Sequence, residues 1–293
     1  MTRLPVRRVG LPWIALLLIG LVLSGCTRLA VFDAVIAKDA GAQLALRDAA
    51  FGPDARQRLD LYVPNGGAPA PLPVIVFFYG GSWNSGDKDG YSFVGRALAS
   101  RGFVVAIADY RLLPQVRFPT FLEDGAAAVR WVRAHVRAQG GDPDRLVLMG
   151  HSAGAYNAAM LALDRQWLGP DRAAVRGLIG LAGPYDFLPL DGRIVVQAFG
   201  AAADPATTQP VNFVRPGDPP TFLATGSDDR VVRPANSDSL AARLGAAGVA
   251  VERRIYPGVS HSGLVLAIAK PLRGRAPVLD DLVAFARKVT GAP

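Results

Sequence analysis

Cysteine, histidine and clustered basic residues are scarce in this chain of 293 residues, and each scarcity excludes something. The single cysteine, Cys26, rules out an intramolecular disulfide. Only three histidines are present, so few side chains can serve as a general base near neutral pH. No run of Lys or Arg exceeds two residues, and no aromatic-basic motif of RNA-binding proteins occurs. Nucleic-acid binding is therefore not expected, despite the net charge of +8.

The N-terminal segment resembles an export signal. Three arginines precede an apolar run over residues 11–23, which is too short to span a bilayer comfortably. The tetrapeptide LSGC, which ends at Cys26, resembles the lipobox of bacterial lipoproteins, where cleavage precedes a lipid-modified cysteine. An ordinary secretory signal and an uncleaved anchor helix are the alternatives.

These features predict three parts of the chain. We expect a lipoprotein-type signal peptide at residues 1–25, the lipidated Cys26 with a spacer over residues 26–40, and one globular domain over residues 41–293. The protein would then be exported and held by its lipid to a membrane on the periplasmic side. Because Thr27 and not an aspartate follows the cysteine, the outer membrane is the expected place in a Gram-negative cell.

Apolar runs typical of buried strands alternate with helical patterns through this domain. Eight segments are predicted as strands, at residues 44–47, 59–63, 74–78, 103–108, 145–149, 178–181, 221–225 and 252–256. Helices are predicted at residues 91–100, 120–139, 155–163, 235–247 and 278–289. The alternation indicates an α/β protein with a mostly parallel eight-stranded sheet and helices on both faces. The irregular insertion at residues 184–220 is short, so we expect a small or absent cap and an open site.

The sequence GHSAG at residues 150–154 joins one of these strands to the following helix. A G-x-S-x-G motif in that position is a nucleophile elbow, a turn so tight that its serine adopts strained backbone angles. Gly150 and Gly154 would leave the room that such a turn needs. The motif therefore predicts Ser152 as the exposed nucleophile of a serine hydrolase.

A serine hydroxyl becomes a good nucleophile only when a base takes its proton and an acid orients that base. His135 lies on a helix before the serine, and His151 lies inside the elbow, where its ring should point away from Ser152. His261, in a polar loop after the last strand, is therefore the candidate base. Asp228 and Asp229 follow the strand at 221–225, at the carboxyl edge of the sheet, where catalytic groups collect. Either aspartate could be the acid.

The oxyanion that forms during attack needs backbone N–H donors. The segment YGGSW at residues 79–83 follows a buried strand, and paired glycines allow such a loop to turn its amides inward. Candidate donors are Gly80, Gly81 and Ser82, together with Ala153 after the nucleophile. A plain Gly-Gly turn without this role is the alternative.

Together these motifs resemble the carboxylesterase branch of the α/β-hydrolases, close to bacterial esterases of the BD-FAE-like and hormone-sensitive-lipase-like kind. The resemblance covers about residues 56–289 and includes RLDLYVP at 58–64, DYRL at 109–112 and GDP at 141–143. It implies the α/β-hydrolase fold and a mechanism without cofactor or metal ion. It also places the acid three residues after the glycine of the acid loop, which favours Asp229 over Asp228.

Two positions depart from the pattern of these relatives. Tyr79 stands where the oxyanion loop usually begins with His, and Ala155 stands where the elbow usually continues with Gly. Because Tyr79 would act on the shape of the loop through its side chain, hydrolysis should survive the change. Its effect on substrate preference does not follow from the sequence.

The expected function is that of a serine carboxylesterase that hydrolyses short-chain acyl esters through an acyl-enzyme. An amidase or arylformamidase would use the same residues, and a non-catalytic binding module could use the same fold. The intact combination of Ser152, Asp229 and His261 favours an enzyme.

Overall fold

A computed structural model describes residues 28–292 of the chain. The predicted signal peptide and Cys26 lie outside the described residues. The strands are β1 Ala42–Ala50, β2 Arg58–Pro64, β3 Leu72–Phe78, β4 Val104–Ala108, β5 Gly141–His151, β6 Val175–Leu181, β7 Thr221–Gly226 and β8 Val251–Tyr256. Each contains or overlaps one of the eight predicted segments, so the predicted fold class is confirmed.

The strands form one sheet in the order β1-β2-β4-β3-β5-β6-β7-β8. The pairs β1–β2 and β2–β4 are antiparallel, and all other neighbours are parallel. Strand β4 is buried along its whole length, and β3 is buried from its second residue onward. Such strands need layers on both faces, which explains why they are continuous apolar runs without alternation. The edge strands β1 and β8 are partly exposed.

Nine α-helices of the described chain surround or connect these strands. They are α1 Arg28–Val35, α2 Ser92–Ala99, α3 Thr120–His135, α4 Ala153–Leu163, α5 Arg165–Leu168, α6 Arg193–Phe199, α7 Ala235–Ala246, α8 His261–Leu266 and α9 Val278–Thr290. Short 3-10 helices occur at Lys88–Tyr91, Val136–Gln139, Gly169–Ala174, Pro205–Thr208, Pro210–Phe213 and Lys270–Arg275. The five long predicted helices are all present. None of the helices in residues 28–292 has the length and apolar character needed to cross a membrane.

Helix α1 lies where the sequence indicated a spacer. Its Phe32 packs edge-on against Phe93, with ring centroids 5.6 Å apart. The buried carboxylate of Asp33 accepts hydrogen bonds from the Ser92 hydroxyl at 2.5 Å and the Phe93 amide at 2.8 Å. The spacer interpretation was therefore wrong for α1, which belongs to the folded domain. Apolar residues occur all round this eight-residue helix, RLAVFDAV, so its sequence shows no separate apolar face that would have revealed it.

The insertion at residues 184–220 also contains more structure than expected. Besides two 3-10 turns it forms α6, whose buried residues Ala198 and Phe199 face the core. Phe199 packs against Tyr156 of α4, with ring centroids 5.2 Å apart. The insertion therefore forms a small, anchored wall beside the carboxyl edge of the sheet.

Candidate active site

The predicted nucleophile elbow is present between β5 and α4. Ser152 has φ 54° and ψ −123°, a strained conformation for a residue with a side chain. A Cβ atom added to Gly150 would lie 2.1 Å from the carbonyl oxygen of Gly154, and one added to Gly154 would lie 2.0 Å from that of Phe78. Both glycines are therefore required for the close approach of strand and helix at this turn.

Ser152, His261 and Asp229 lie in one hydrogen-bonded series. His261, the first residue of α8, has its Nε2 atom 2.9 Å from the Ser152 hydroxyl oxygen. Its Nδ1 atom is 2.8 Å from Oδ2 of Asp229. Because the carboxylate is an acceptor only, it favours the tautomer with the proton on Nδ1, which leaves Nε2 free to accept the serine proton. The three residues predicted from the sequence are thus brought together in the geometry that serine activation needs.

The neighbouring aspartates have different partners. Asp229 has a fully buried side chain, and its second oxygen, Oδ1, accepts hydrogen bonds from the amides of Val231 and Val232 at 2.9 Å each. Asp228 is exposed and accepts a hydrogen bond from the hydroxyl of Ser227 at 2.9 Å. The structure therefore brings Asp229, and not Asp228, to His261.

The other two histidines do not reach Ser152. His135 is exposed on α3 and stacks on Trp131, with ring centroids 4.3 Å apart. The buried His151 has its Nε2 atom 3.1 Å from the carbonyl oxygen of His261. Burial, followed by the charge of His261, lowers the pKa of His151 to about 3, so its ring stays neutral and donates Nε2–H to that carbonyl. His151 thereby holds the backbone that carries His261, a contact between residues 110 positions apart that sequence patterns did not indicate.

The loop after β3 runs directly against Ser152. A Cβ atom on Gly80 would lie 2.9 Å from the Cβ of Ser152, so only glycine fits there. Burial raises the pKa of the Tyr91 hydroxyl, and a hydrogen bond from the Gly80 amide to that hydroxyl partly opposes the shift. Gly80, Gly81, Ser82 and Ala153 all remain candidate oxyanion donors, and Gly80 and Gly81 line the smaller cavity beside Ser152. The mechanism proposed below uses the N–H groups of Gly81, Ser82 and Ala153, which we call the oxyanion amides.

A buried polar network holds this loop from behind. The hydroxyl of Tyr79 donates to Oδ1 of Asp109 at 2.8 Å and accepts from Nη2 of Arg56 at 2.7 Å. The amide of Lys88 donates to the same carboxylate oxygen at 2.8 Å, and Arg56 also donates to the carbonyl of Gly86 at 2.7 Å. Burial raises the pKa of Asp109 to about 6, an effect that the hydrogen bond from Tyr79 partly opposes. The buried carboxylate of Asp109 thus holds both ends of the loop, one through the hydroxyl of Tyr79 and the other through the amide of Lys88.

Ser152 lies where two cavities meet. The larger, of about 830 Å³, has an apolar wall formed by Trp83, Phe187, Leu188, Leu190, Ile194 and Val195. The smaller, of about 410 Å³, is lined by the loop after β3 and by Leu29, Tyr91, Val231 and His261. Ser82 also borders both cavities. The sequence predicted an open site, but it did not indicate that α1 or the Tyr91 ring would contribute to its walls.

Trp83 forms part of the floor of the larger cavity. Its ring packs edge-on against Phe199 at 4.7 Å and Tyr156 at 5.4 Å, and its Nε1 donates to Oδ1 of Asn157 at 3.2 Å. The floor is therefore a fixed aromatic layer. Within residues 28–292, no group of three or more His, Cys, Asp and Glu side chains could hold a metal ion.

A serine on a strained strand-to-helix turn, with an aspartate and a histidine that follow later strands at the same edge of a mostly parallel sheet, defines an α/β-hydrolase. The BD-FAE family profile matches residues 59–244. The chain belongs to the BD-FAE family.

Relatives in this family carry the names of esterases. The isoprenylcysteine alpha-carbonyl methylesterase ICME of Arabidopsis thaliana is 30% identical over 266 residues, which cover 81% of this chain and 61% of that protein. The chain therefore spans about three fifths of the length of the plant methylesterase. The carboxylesterase NlhH of Mycobacterium tuberculosis is 32% identical over 231 residues, 70% of each chain.

Solved structures of esterases share the fold. Esterase B from Lactobacillus rhamnosis, inhibited by a tributyrin phosphonate, superposes with a TM-score of 0.79 over 95% of both chains at 20% identity. Esterase 2 of Thermogutta terrifontis with bound propionate has a TM-score of 0.69 at 24% identity, covering 85% of this chain and 95% of that one.

Proposed function

We propose that this protein is a serine carboxylesterase that hydrolyses short-chain acyl esters through an acyl-enzyme. The observation that carries the proposal is the series Asp229–His261–Ser152, with contacts of 2.8 and 2.9 Å, at the junction of two cavities. Family membership and the names of the relatives support ester hydrolysis as the reaction.

The reaction uses each member of this series in turn. The Ser152 oxygen attacks the carbonyl carbon of the ester while its proton passes to Nε2 of His261, and Asp229 stabilises the imidazolium. The oxyanion amides stabilise the negative oxygen, each donor lowering the barrier by about 3–4 kcal/mol. His261 then gives the proton to the leaving alcohol, which departs and leaves the acyl group on Ser152. A water molecule activated by His261 releases the acid.

The short acyl preference follows from the shape of the larger cavity. Its floor is closed by Trp83, and its outer part includes the polar side chains of Asp186, Asp191 and Arg230. A short acyl chain can rest on the apolar wall, whereas a long one would extend past charged groups into solvent. Burying one methylene group is worth about 0.8 kcal/mol only where an apolar surface receives it.

Labelling by a fluorophosphonate tests the nucleophile. The wild-type protein should be labelled, and Ser152→Ala should be neither labelled nor active, because loss of the nucleophile costs about a millionfold in such triads. Ser262→Ala, which changes an exposed serine beside His261, is the matched control and should behave as wild type. A Ser152→Ala variant that keeps more than about a hundredth of the rate would exclude Ser152 as the nucleophile.

A series of p-nitrophenyl esters from acetate to palmitate tests the acyl preference. We expect kcat/KM to be highest at or below hexanoate and to fall beyond it. A value that still rises at palmitate would show an acyl tunnel and contradict the proposal. Matched ester and anilide substrates, measured in the same way, separate an esterase from an amidase.

We also propose that the protein is exported and anchored to a membrane by lipid on Cys26. The basis is the basic head, the apolar run and the LSGC tetrapeptide, all within the first 26 residues.

A further inference from the structure

The position of His261 distinguishes the two cavities chemically. His261 must give its proton to the leaving alcohol oxygen, so the alcohol part of the ester has to lie beside its Nε2 atom. His261 lines the smaller cavity, together with Gly80 and Gly81. The larger cavity is lined instead by Ala153 and by the insertion after β6. The smaller cavity is therefore the leaving-group side, and the larger one is the acyl side.

Helix α1 supplies one wall of this leaving-group cavity through Leu29. The helix lies directly on the 3-10 helix Lys88–Tyr91: a Cβ atom on Gly90 would be 3.4 Å from the amide nitrogen of Ala30. Tyr91, at the end of that 3-10 helix, lines the same cavity. Leu29, Tyr91 and Val231 are thus the large apolar side chains that line this cavity.

The contacts of α1 hold this wall in a fixed position. Asp33 is 5% exposed and accepts hydrogen bonds from Ser92 and Phe93 at the start of α2. Lys38 forms an ion pair with Asp33 at 3.5 Å, and Arg273 binds both carboxylate oxygens of Asp39, at 2.8 and 2.6 Å. Because a buried carboxylate is costly without partners, these contacts fix the depth at which α1 packs.

We propose that α1 sets the leaving-group selectivity of the enzyme, with Leu29 as the specificity-determining residue. This inference rests on the proposed function. The substrate class is an ester of a compact apolar alcohol, alkyl or aryl, whose hydrocarbon part contacts Leu29, Tyr91 and Val231. The ring system of a larger alcohol would clash with Leu29 of α1, so esters of such alcohols should react more slowly.

Substitutions of Leu29 in the full-length protein test the inference with butanoate esters of methanol, butanol, phenol and 1-naphthol. Leu29→Trp should lower the ratio of kcat/KM for the naphthyl ester to kcat/KM for the methyl ester about tenfold, and Leu29→Ala should raise this ratio. Differences of this size accompany small changes in apolar pockets. All four esters form the same butanoyl-enzyme, so the alcohol can affect only the steps before its departure. The effect should therefore be seen in kcat/KM.

Val35→Ala is the matched control, because Val35 lies on the same helix and is 80% exposed. It should leave all four rates unchanged. The acyl series from acetate to hexanoate, with p-nitrophenol as the constant alcohol, should keep its order in both Leu29 variants. Leu29 variants with unchanged alcohol ratios, or with acyl and alcohol series shifted equally, would overturn the inference. A wild-type protein that hydrolyses none of these esters would instead overturn the proposed function.

Discussion

At the scale of single residues, Asp229 uses its two carboxylate oxygens for different purposes. One faces His261, and the other holds two amides of its own loop, those of Val231 and Val232. An asparagine has one acceptor oxygen and one NH₂ group, so it cannot serve both sides. If the NH₂ group faces His261, it donates to Nδ1 and favours the tautomer with the proton on Nε2, which cannot accept the serine proton. If the NH₂ group faces the loop, it lies against the N–H groups of Val231 and Val232, which need an acceptor.

We therefore expect Asp229→Asn to lower kcat by about ten-thousandfold, the loss that the same change causes in a serine protease. Asp228→Asn is the matched change at the adjacent residue. It should have a small effect, because Asp228 is exposed and its carboxylate accepts a hydrogen bond from Ser227 of the same loop and not from His261. The measurement is kcat with p-nitrophenyl acetate for both variants. Equal losses, or a larger loss at Asp228, would contradict the assignment.

His151 gives a prediction about pH and stability. Its pKa is about 3 in the folded protein, mainly because of burial, against an ordinary value of 6.5. Between these values the unfolded chain binds a proton that the folded chain does not, so folding is destabilised as pH falls below about 6.5. The loss amounts to about 1.4 kcal/mol for each pH unit until the folded-state pKa is reached.

His151→Gln removes this titration while keeping an N–H group that can reach the carbonyl of His261. When the pH is lowered from 7 to 5, the free energy of unfolding of wild type should fall by about 2 kcal/mol more than that of the variant. Urea unfolding of both proteins at the two pH values measures the difference, in which the other titrating groups cancel. A difference that does not change with pH would show that His151 can be protonated in the folded state.

The sequence predicted residues that belong to local motifs and missed those that act across the fold. Ser152 was found because G-x-S-x-G needs two small neighbours, and His261 was found because few histidines compete. The hold of His151 on the backbone of His261 had no local signal, since the two residues lie in different elements. Leu29 had no signal at all, because nothing near it in the sequence marks a cavity wall.

At the scale of elements, the loop after β3 depends on the hydroxyl of Tyr79. That hydroxyl is the shared partner of Arg56 and Asp109, and the rings of Tyr91 and Tyr110 stack on either side of Tyr79, at 5.6 and 4.9 Å. The residue that replaces the usual histidine is therefore embedded in a polar network and an aromatic stack. Its hydroxyl fixes the loop that carries two of the oxyanion amides.

Tyr79→Phe should lower the free energy of unfolding by about 1–3 kcal/mol, because a buried carboxylate loses a donor and Arg56 loses an acceptor. The value of kcat should fall while fluorophosphonate labelling of Ser152 persists, since the series of Ser152, His261 and Asp229 is not altered. Tyr62→Phe on β2 removes a hydroxyl outside this network and is the control. Urea unfolding and kcat are measured for both variants. If Tyr79→Phe and Tyr62→Phe lose the same stability and the same kcat, the Tyr79 hydroxyl does not hold the loop after β3 in place.

The length and the apolar pattern of an element together decided whether the sequence revealed it. Strands such as β3 are buried on both faces and gave continuous apolar runs, and α3 and α9 are long enough to repeat an apolar face. The helices α1, α6 and α8 have eight, seven and six residues, about two turns each. A helix of about two turns is revealed only when its apolar residues share one face, as they do in the eight-residue α2.

At the scale of the whole molecule, α1 lies between the predicted export segment and the candidate active site. Leu29 follows Cys26 by three residues, a stretch that covers at most about 11 Å of extended chain. If Cys26 carries lipid, the leaving-group cavity must therefore lie close to the membrane surface. Substrates whose alcohol part is dissolved in the membrane would then approach the site from the side that α1 borders.

Lipid on Cys26, and not the apolar run before it, should hold the protein to the membrane. Two or more acyl chains make such anchoring stable, because each buried methylene contributes about 0.8 kcal/mol. Cys26→Ala in the full-length gene should therefore abolish the lipid-dependent mass increase and change processing and membrane association, as measured by fractionation and mass spectrometry. A variant that starts at Arg28 keeps α1, and it should be active and found in the soluble fraction. If Cys26→Ala leaves mass, processing and membrane association unchanged, lipid on Cys26 is excluded, and the uncleaved apolar run over residues 11–23 is the better account of the anchor.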